Sequence, residues 1–143
     1  MFVLPAHNAS DWTGPSGNNT YLLPGACAAL VDAGVGHPAH VSSIERALNG
    51  SPLESVLITH GHPDHLAGVP ALVERWPDLR VSKMRPNLPD DVVPLSDGER
   101  VDAGNGTLVV VATQDTRRIT VASSRNRLAI STAGISFASA ERS

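Results

Sequence analysis

The sequence predicts an α/β layered fold, and three observations point to it. Short apolar runs alternate with segments of helical spacing in the order strand, helix, strand, helix, strand. One run, Ser55-Val56-Leu57-Ile58-Thr59, is apolar and β-branched without alternation and too short for a helix, so it reads as a strand buried on both faces. The chain has 143 residues and is 41% hydrophobic, enough for one domain with a real core.

Taken in order, Thr20-Tyr21-Leu22-Leu23 and Ala28-Ala29-Leu30-Val31-Asp32 are apolar runs bounded by Pro24-Gly25 and Gly34, which predicts a hairpin. From Pro38, the positions Val41, Ile44, Ala47 and Leu48 fall at helical spacing and stop at Asn49-Gly50, a suitable helix terminus. The strand over 55–59 follows and delivers the chain into His60. A second helix is expected over Ala67 to Trp76, with Pro70 tolerated in its first turn, and Leu79-Arg80-Val81 begins another strand. The proline-rich stretch from Arg85 to Pro94 reads as a surface loop, and Thr107 to Thr113 as a further buried strand.

Composition excludes several classes of function. No stretch approaches the roughly 20 apolar residues of a membrane span, and Met1-Phe2-Val3-Leu4-Pro5 lacks the basic region and long apolar run of a signal peptide. A soluble, cytoplasmic protein is expected. The single cysteine, Cys27, excludes an internal disulfide and a thiolate metal cluster. A net charge of -3 with 3% aromatic residues disfavours a basic groove for nucleic acid.

Chemistry concentrates in Thr59-His60-Gly61-His62-Pro63-Asp64-His65-Leu66-Ala67-Gly68. Three imidazoles and one carboxylate lie between a buried strand and a helix, where open α/β sheets place their sites. Neutral imidazole and carboxylate suit zinc, iron or manganese. His60 and His62 alternate on extended backbone and point the same way, whereas Asp64 and His65 turn toward a neighbouring position, so the spacing predicts two ligand pairs. The plainer reading is a solvated histidine-rich loop. His7, His37 and His40 carry no partner pattern and are read as structural or surface residues.

These residues resemble a known family. His60-x-His62-x-Asp64-His65 with Leu66-x-Gly68, preceded by the strand Val56 to Thr59, is similar to the signature of the metallo-β-lactamase-fold hydrolases. Gly17-Asn18-Asn19-Thr20-Tyr21-Leu22-Leu23 and Leu30-Val31-Asp32-Ala33-Gly34 resemble that fold's opening hairpin. Pro94-Leu95-Ser96-Asp97-Gly98 resembles a segment of the branch containing the β-lactamase-like protein 2 group. The resemblance covers about residues 3 to 113 and implies the N-terminal half of an αββα sandwich, a mixed sheet with flanking helices. It further implies that His60 and His62 bind one metal and Asp64 and His65 a second, two zinc ions in an intact site or iron or manganese in their place. A water bridging the two metals becomes hydroxide near neutral pH and attacks an ester, thioester, lactam or phosphodiester. Asp64 would ligate and orient that nucleophile, which makes it the catalytic residue. Asp32 by resemblance supports the ligands from behind; as a plain strand-end hydrogen-bond acceptor it reads equally well.

The family completes its site with a Pro-Gly-His-Thr loop, a Gly-Asp pair and a final histidine, none of which follows Thr113 here. Residues 1–113 hold 6 basic and 12 acidic side chains, residues 114–143 hold 5 and 2, and all six histidines precede position 66. The sequence therefore divides into a family-like part, 1–113, and a non-family tail, 114–143. One lost nucleotide at codon 114 would account for the tail. Gln-Asp-Thr-Arg-Arg-Ile-Thr can be encoded CAG GAC ACA CGC CGG ATC ACG, and a C restored in front gives Pro-Gly-His-Thr-Pro-Asp-His. The same shift lets Thr132-Ala133-Gly134-Ile135 read Tyr-Ser-Gly-Asp. The competing reading of the tail is a genuine hairpin of Arg118–Val121 and Leu128–Ser131.

The expected function is a metal-dependent hydrolase acting on a small ester or thioester rather than RNA, with no membrane partner and with the site incomplete in this chain. The alternative is a catalytically inactive truncated fragment that binds metal weakly or not at all. A third arrangement is a homo-oligomer paired through the uncovered sheet face, completing its site from a second copy. Resequencing the gene across codons 110 to 145 and past the stop tests the frame. The shifted frame should continue through Gly-His-Thr, Gly-Asp and a later histidine, whereas an unchanged frame without them refutes the lost nucleotide.

Overall fold

A period of two on the central strands separates the molecule into layers. The computed structural model describes residues 1–84 and 90–113, together with the backbone of three later strands. The first sheet runs β1 (Phe2–Pro5), β2 (Asn19–Leu23), β3 (Ala29–Val31), β4 (Ser55–Ile58), β5 (Arg80–Met84) and β6 (Val92–Leu95), neighbours in that order. The first three strands are antiparallel and β3 to β6 are parallel, so the sheet is mixed. A second, antiparallel sheet contains β7 (Arg100–Ala103), β8 (Gly106–Thr113), β9 (Arg118–Ser123), β10 (Leu128–Ser131) and β11 (Gly134–Phe137). Three helices, α1 (Pro38–Leu48), α2 (Pro63–Leu66) and α3 (Val69–Arg75), complete the described elements.

Successive side chains on a strand point to opposite faces, and each face of the first sheet has its own core. Leu22, Leu30, Val56, Ile58 and Val81 pack against the helix residues Ile44, Leu48, Leu72 and Trp76. Tyr21, Ala29, Val31 and Leu57 turn the other way and meet Leu95, Ala103, Leu108 and Val110, mostly from the second sheet. The described layers are therefore helix, sheet, sheet, and no helix residue joins the second core. All four residues of β4 are buried because the strand is flanked on both edges and covered on both faces.

Local sequence explains α1. Pro38 sits in the first turn, where its missing N–H costs nothing, and the His37 side chain caps the helix by accepting from Ala39 N at 3.1 Å. Asn49 closes it in the left-handed region at φ 50°. His40 is fully buried on this helix and its Nε2 lies 2.7 Å from Thr20 Oγ1, while His7 stacks on His37. Burial, followed by the nearby His7 and His37, lowers the His40 pKa to about 4.

Several expectations change. Phe2–Pro5 forms an edge strand paired to β2, which the short run ending in proline did not reveal. The loop expected up to Pro94 gives way at Val92 to β6, whose parallel pairing to β5 outweighs the proline on an edge; residues 85–89 lie outside the described residues. Arg100–Ala103 pairs with β8 through a turn at Gly104-Asn105. The 107–113 strand is buried on one face only, with Leu108 and Val110 inside and Val111 39% exposed, because it belongs to an antiparallel sheet whose described residues leave its outer face open. β8 pairs with β9 in antiparallel fashion. β9 and β10 coincide with the hairpin reading of the tail; residues 114–117 and the tail's side chains lie outside the described residues.

Leu57 bridges the first sheet to the second and is 1% exposed. Leu57→Ala should cost about 2–5 kcal/mol in a chemical denaturation curve, and an unchanged midpoint would place the core elsewhere.

Candidate metal centre

The parallel pairing of β3 and β4 aligns Val31 with Leu57, so both chains leave the sheet side by side at their C-terminal ends. Asp32 follows β3 and Thr59 follows β4. The Asp32 N–H still donates to Leu57 O at 2.9 Å, and its backbone then turns to φ 65°. That left-handed conformation is unusual for a residue with a Cβ, though Asp tolerates it better than most.

The turn aims a buried carboxylate at the histidine motif. Asp32 Oδ1 accepts from Thr59 N at 2.8 Å, and the Thr59 hydroxyl lies 2.9 Å from both carboxylate oxygens. His65 Nδ1 lies 2.8 Å from Asp32 Oδ2. A carboxylate only accepts, so His65 donates from Nδ1 and keeps a lone pair on Nε2 when neutral. The same logic passes through Thr59. Its one hydroxyl proton goes to Asp32, so it accepts from His60 Nδ1, 3.0 Å away, which leaves the His60 Nε2 lone pair free. Burial, then the adjacent His65 ring, lowers the His60 pKa to about 4 and keeps that imidazole neutral.

The motif itself differs from the extended loop that the spacing predicts. His62 is extended at ψ 145°, but Asp64 and His65 lie on the short helix α2. The rings of His60 and His62 are 4.5 Å apart and those of His60 and His65 4.1 Å apart, so the three imidazoles lie in one cluster. His65 Nε2 faces Asp64 Oδ2 at 3.2 Å. Burial raises the Asp64 pKa, but the bond from Asn18, the neighbouring His65 and further contacts outweigh it and leave the carboxyl below its usual range. His60 and His65 are buried, Asp64 is half-buried and His62 is exposed.

A close approach of backbones holds α2 in place. Ala33 N donates to His65 O at 2.9 Å and Gly68 N to Gly34 O at 2.8 Å. A Cβ on Gly68 would fall 2.2 Å from Ala33 O, so glycine is required there. The Leu66-x-Gly68 part of the motif thus fits the helix against the Asp32 turn.

All five predicted site residues come together: His60, His62, Asp64 and His65, with Asp32 behind them. Two further residues were not singled out in the sequence. Thr59 links Asp32 to His60, and Asn18 reaches Asp64 from 46 positions away. A hydroxyl residue at the end of a buried strand was a usable signal for Thr59; nothing local marks Asn18. Among the described residues no group of three or more His, Cys, Asp or Glu side chains is arranged to hold a metal as it stands. The donor chemistry nevertheless suits a cation, since His60, kept neutral, and His65, whose Nδ1 is turned to Asp32, adjoin a carboxyl whose pKa is held below its usual range. A cavity of about 420 Å³ lined by Glu54, Arg80 and Arg100 lies toward the strands' opposite end and contains none of these residues.

The chain is similar to known proteins in sequence and in fold. Residues 13–85 match the model of the Metallo-beta-lactamase superfamily. The chain belongs to that superfamily. It is 38% identical over 100 residues to an atrochrysone carboxyl ACP thioesterase of Aspergillus fumigatus, a match covering 68% of this chain and 24% of that protein. It is also 38% identical over 87 residues to a hydroxyacylglutathione hydrolase of Parasynechococcus marenigrum, covering 59% of this chain and 34% of that one. The matches therefore span about a quarter to a third of these relatives' own length. Among solved structures, a beta-lactamase domain protein of Burkholderia ambifaria superposes with TM-score 0.62 at 24% identity, covering 75% of this chain and 45% of that chain. An archaeal superfamily protein of Sulfolobus tokodaii superposes with TM-score 0.63 at 17% identity, covering 86% and 59%. These likenesses confirm the fold class. Among the described residues no helix is long and apolar enough to cross a membrane.

Proposed function

We propose that this superfamily member is a metal-dependent hydrolase of a small ester or thioester, working at His60, His62, Asp64 and His65. The observation that carries the reading is the set of directed lone pairs. Asp32 and Thr59 engage Nδ1 of His65 and His60, which directs Nε2 of both rings away from those bonds, and His65 Nε2 lies 3.2 Å from Asp64 Oδ2. Zinc, or iron or manganese in its place, supplies a water of lowered pKa and a Lewis acid for the acyl carbonyl when bound. His60 and His62 would hold one cation and Asp64 and His65 another. Asp64, kept ionised, also orients the attacking water through its remaining oxygen. Asp32 touches neither water nor substrate and acts by holding His65 and, through Thr59, His60.

Two relatives named as a thioesterase and a hydroxyacylglutathione hydrolase support an acyl substrate. A net charge of -3 with few aromatic residues supports a small acyl compound over RNA. The braced cluster does not favour the alternative of an inactive fragment, because an unused histidine loop has no need of a buried carboxylate fixing two ring tautomers.

His62→Ala and Asp64→Ala should each lower zinc-dependent hydrolysis of an acyl thioester by at least about 100-fold, with an unchanged circular dichroism spectrum. Full activity in either variant contradicts the assignment of that residue.

A further inference from the structure

Asn18 sits at the end of the loop before β2 with its backbone held at both polar groups. Its N–H donates to Asn8 Oδ1 at 2.8 Å, and its carbonyl accepts from Ala6 N at 2.9 Å. Gly17, just before it, runs so close to Asn8 that a Cβ there would lie 2.6 Å from Asn8 Oδ1. The anchored backbone sends the side chain into the histidine cluster. Asn18 Nδ2 lies 2.5 Å from Asp64 Oδ2 and 3.3 Å from His65 Nε2, while those two atoms are 3.2 Å apart.

Three polar atoms therefore form a compact triangle. Two of its corners, Asp64 Oδ2 and His65 Nε2, are both able to bind a cation and face each other at 3.2 Å, and the Asn18 amide reaches both of them. Two edges, 3.2 and 3.3 Å, match the spacing of about 3.3 Å between ligands placed 2.0–2.1 Å from a tetrahedral centre, while the third, 2.5 Å from Asn18 to Asp64, is that of a hydrogen bond and has to lengthen when the amide turns. The amide terminus offers a donor at one end and an oxygen at the other. Turning it over puts Oδ1 where Nδ2 lies, and the same corner then serves a cation as a ligand.

We propose that Asn18 is the third protein ligand of the Asp64–His65 seat, binding a divalent cation through Oδ1. The inference rests on the reading of Asp64 and His65 as ligands and extends it. It supplies a donor that a count of histidines and acids misses, and it raises this seat from two protein ligands to three. The turned amide gives up its bond to His65 Nε2, whose lone pair goes to the cation. No covalent bond forms or breaks in the protein.

The test is a cobalt(II) titration of the full chain, read by visible d–d absorption and by competition with a chromogenic chelator, on wild type, Asn18→Leu, Asn18→Asp and Asp64→Ala. Leu has the shape of Asn without a donor or a ligand atom, and Asp restores an oxygen. The expected result is that Asn18→Leu weakens one equivalent by at least about tenfold, that Asn18→Asp retains or tightens it, and that Asp64→Ala loses the same equivalent. Unchanged or tighter binding in Asn18→Leu shows a competing donor and overturns the proposal. Equal weakening in Asn18→Leu and Asn18→Asp shows a purely structural role and also overturns it. A wild type that binds no cobalt overturns both this inference and the metal reading beneath it, whereas loss in Asp64→Ala with none in Asn18→Leu overturns this inference alone.

Discussion

Asp32 is the constraint from which the site follows. Its carboxylate is buried, and the protein meets its hydrogen-bonding demand with the Thr59 amide, the Thr59 hydroxyl and His65 Nδ1. Each partner is fixed by the bond it makes. The bond to His65 sets which ring nitrogen carries the proton, and the bond to Thr59 passes the same instruction to His60. A left-handed residue conformation costs roughly 1–2 kcal/mol for an ordinary side chain and less for Asp. Three bonds to a carboxylate more than offset that, since charged hydrogen bonds contribute about 1.5–3 kcal/mol each.

The layers exist, in chemical terms, to bring that carboxylate and the histidines to one edge. Parallel pairing of β3 with β4 places two strand ends together, and burial of β4 on both faces leaves the chain no freedom until Thr59. The short helix α2 then returns Asp64 and His65 over the edge, close enough to the Asp32 turn that only glycine fits at position 68. The loop before β2 closes the other side through Asn18. Backbone bonds from Ala33 and Gly68 tie the helix layer to the sheet at the site itself, so packing and site geometry are coupled there.

Much of this was legible in the sequence, for physical reasons that differ by element. The unbroken β-branched run of β4 and the i, i+3, i+4 spacing of Val41, Ile44 and Leu48 report burial directly, and both elements lie where that pattern puts them. The motif His60 to His65 announced its residues but not its shape, because Pro63 starts a helix inside it. β1 and β6 escaped because prolines at strand edges look like loop signals, whereas β8 was legible as a strand and only its outer face was misread, because a one-sided strand of valines has the composition of a two-sided one. Asn18 escaped because its contacts lie 46 and 47 residues away, which no local pattern encodes, whereas Thr59 carried a local signal but its bond to Asp32 spans 27 residues.

The most direct measurement is the tautomer of each histidine by long-range nitrogen–proton correlation NMR on the metal-free chain at about pH 8. The account predicts that, in their neutral forms, His65 and His60 carry the proton on Nδ1 and none on Nε2. A proton on Nε2 of His65 would mean that Asp32 does not direct the ring, and the reading of the cluster as a set of oriented metal ligands would fail.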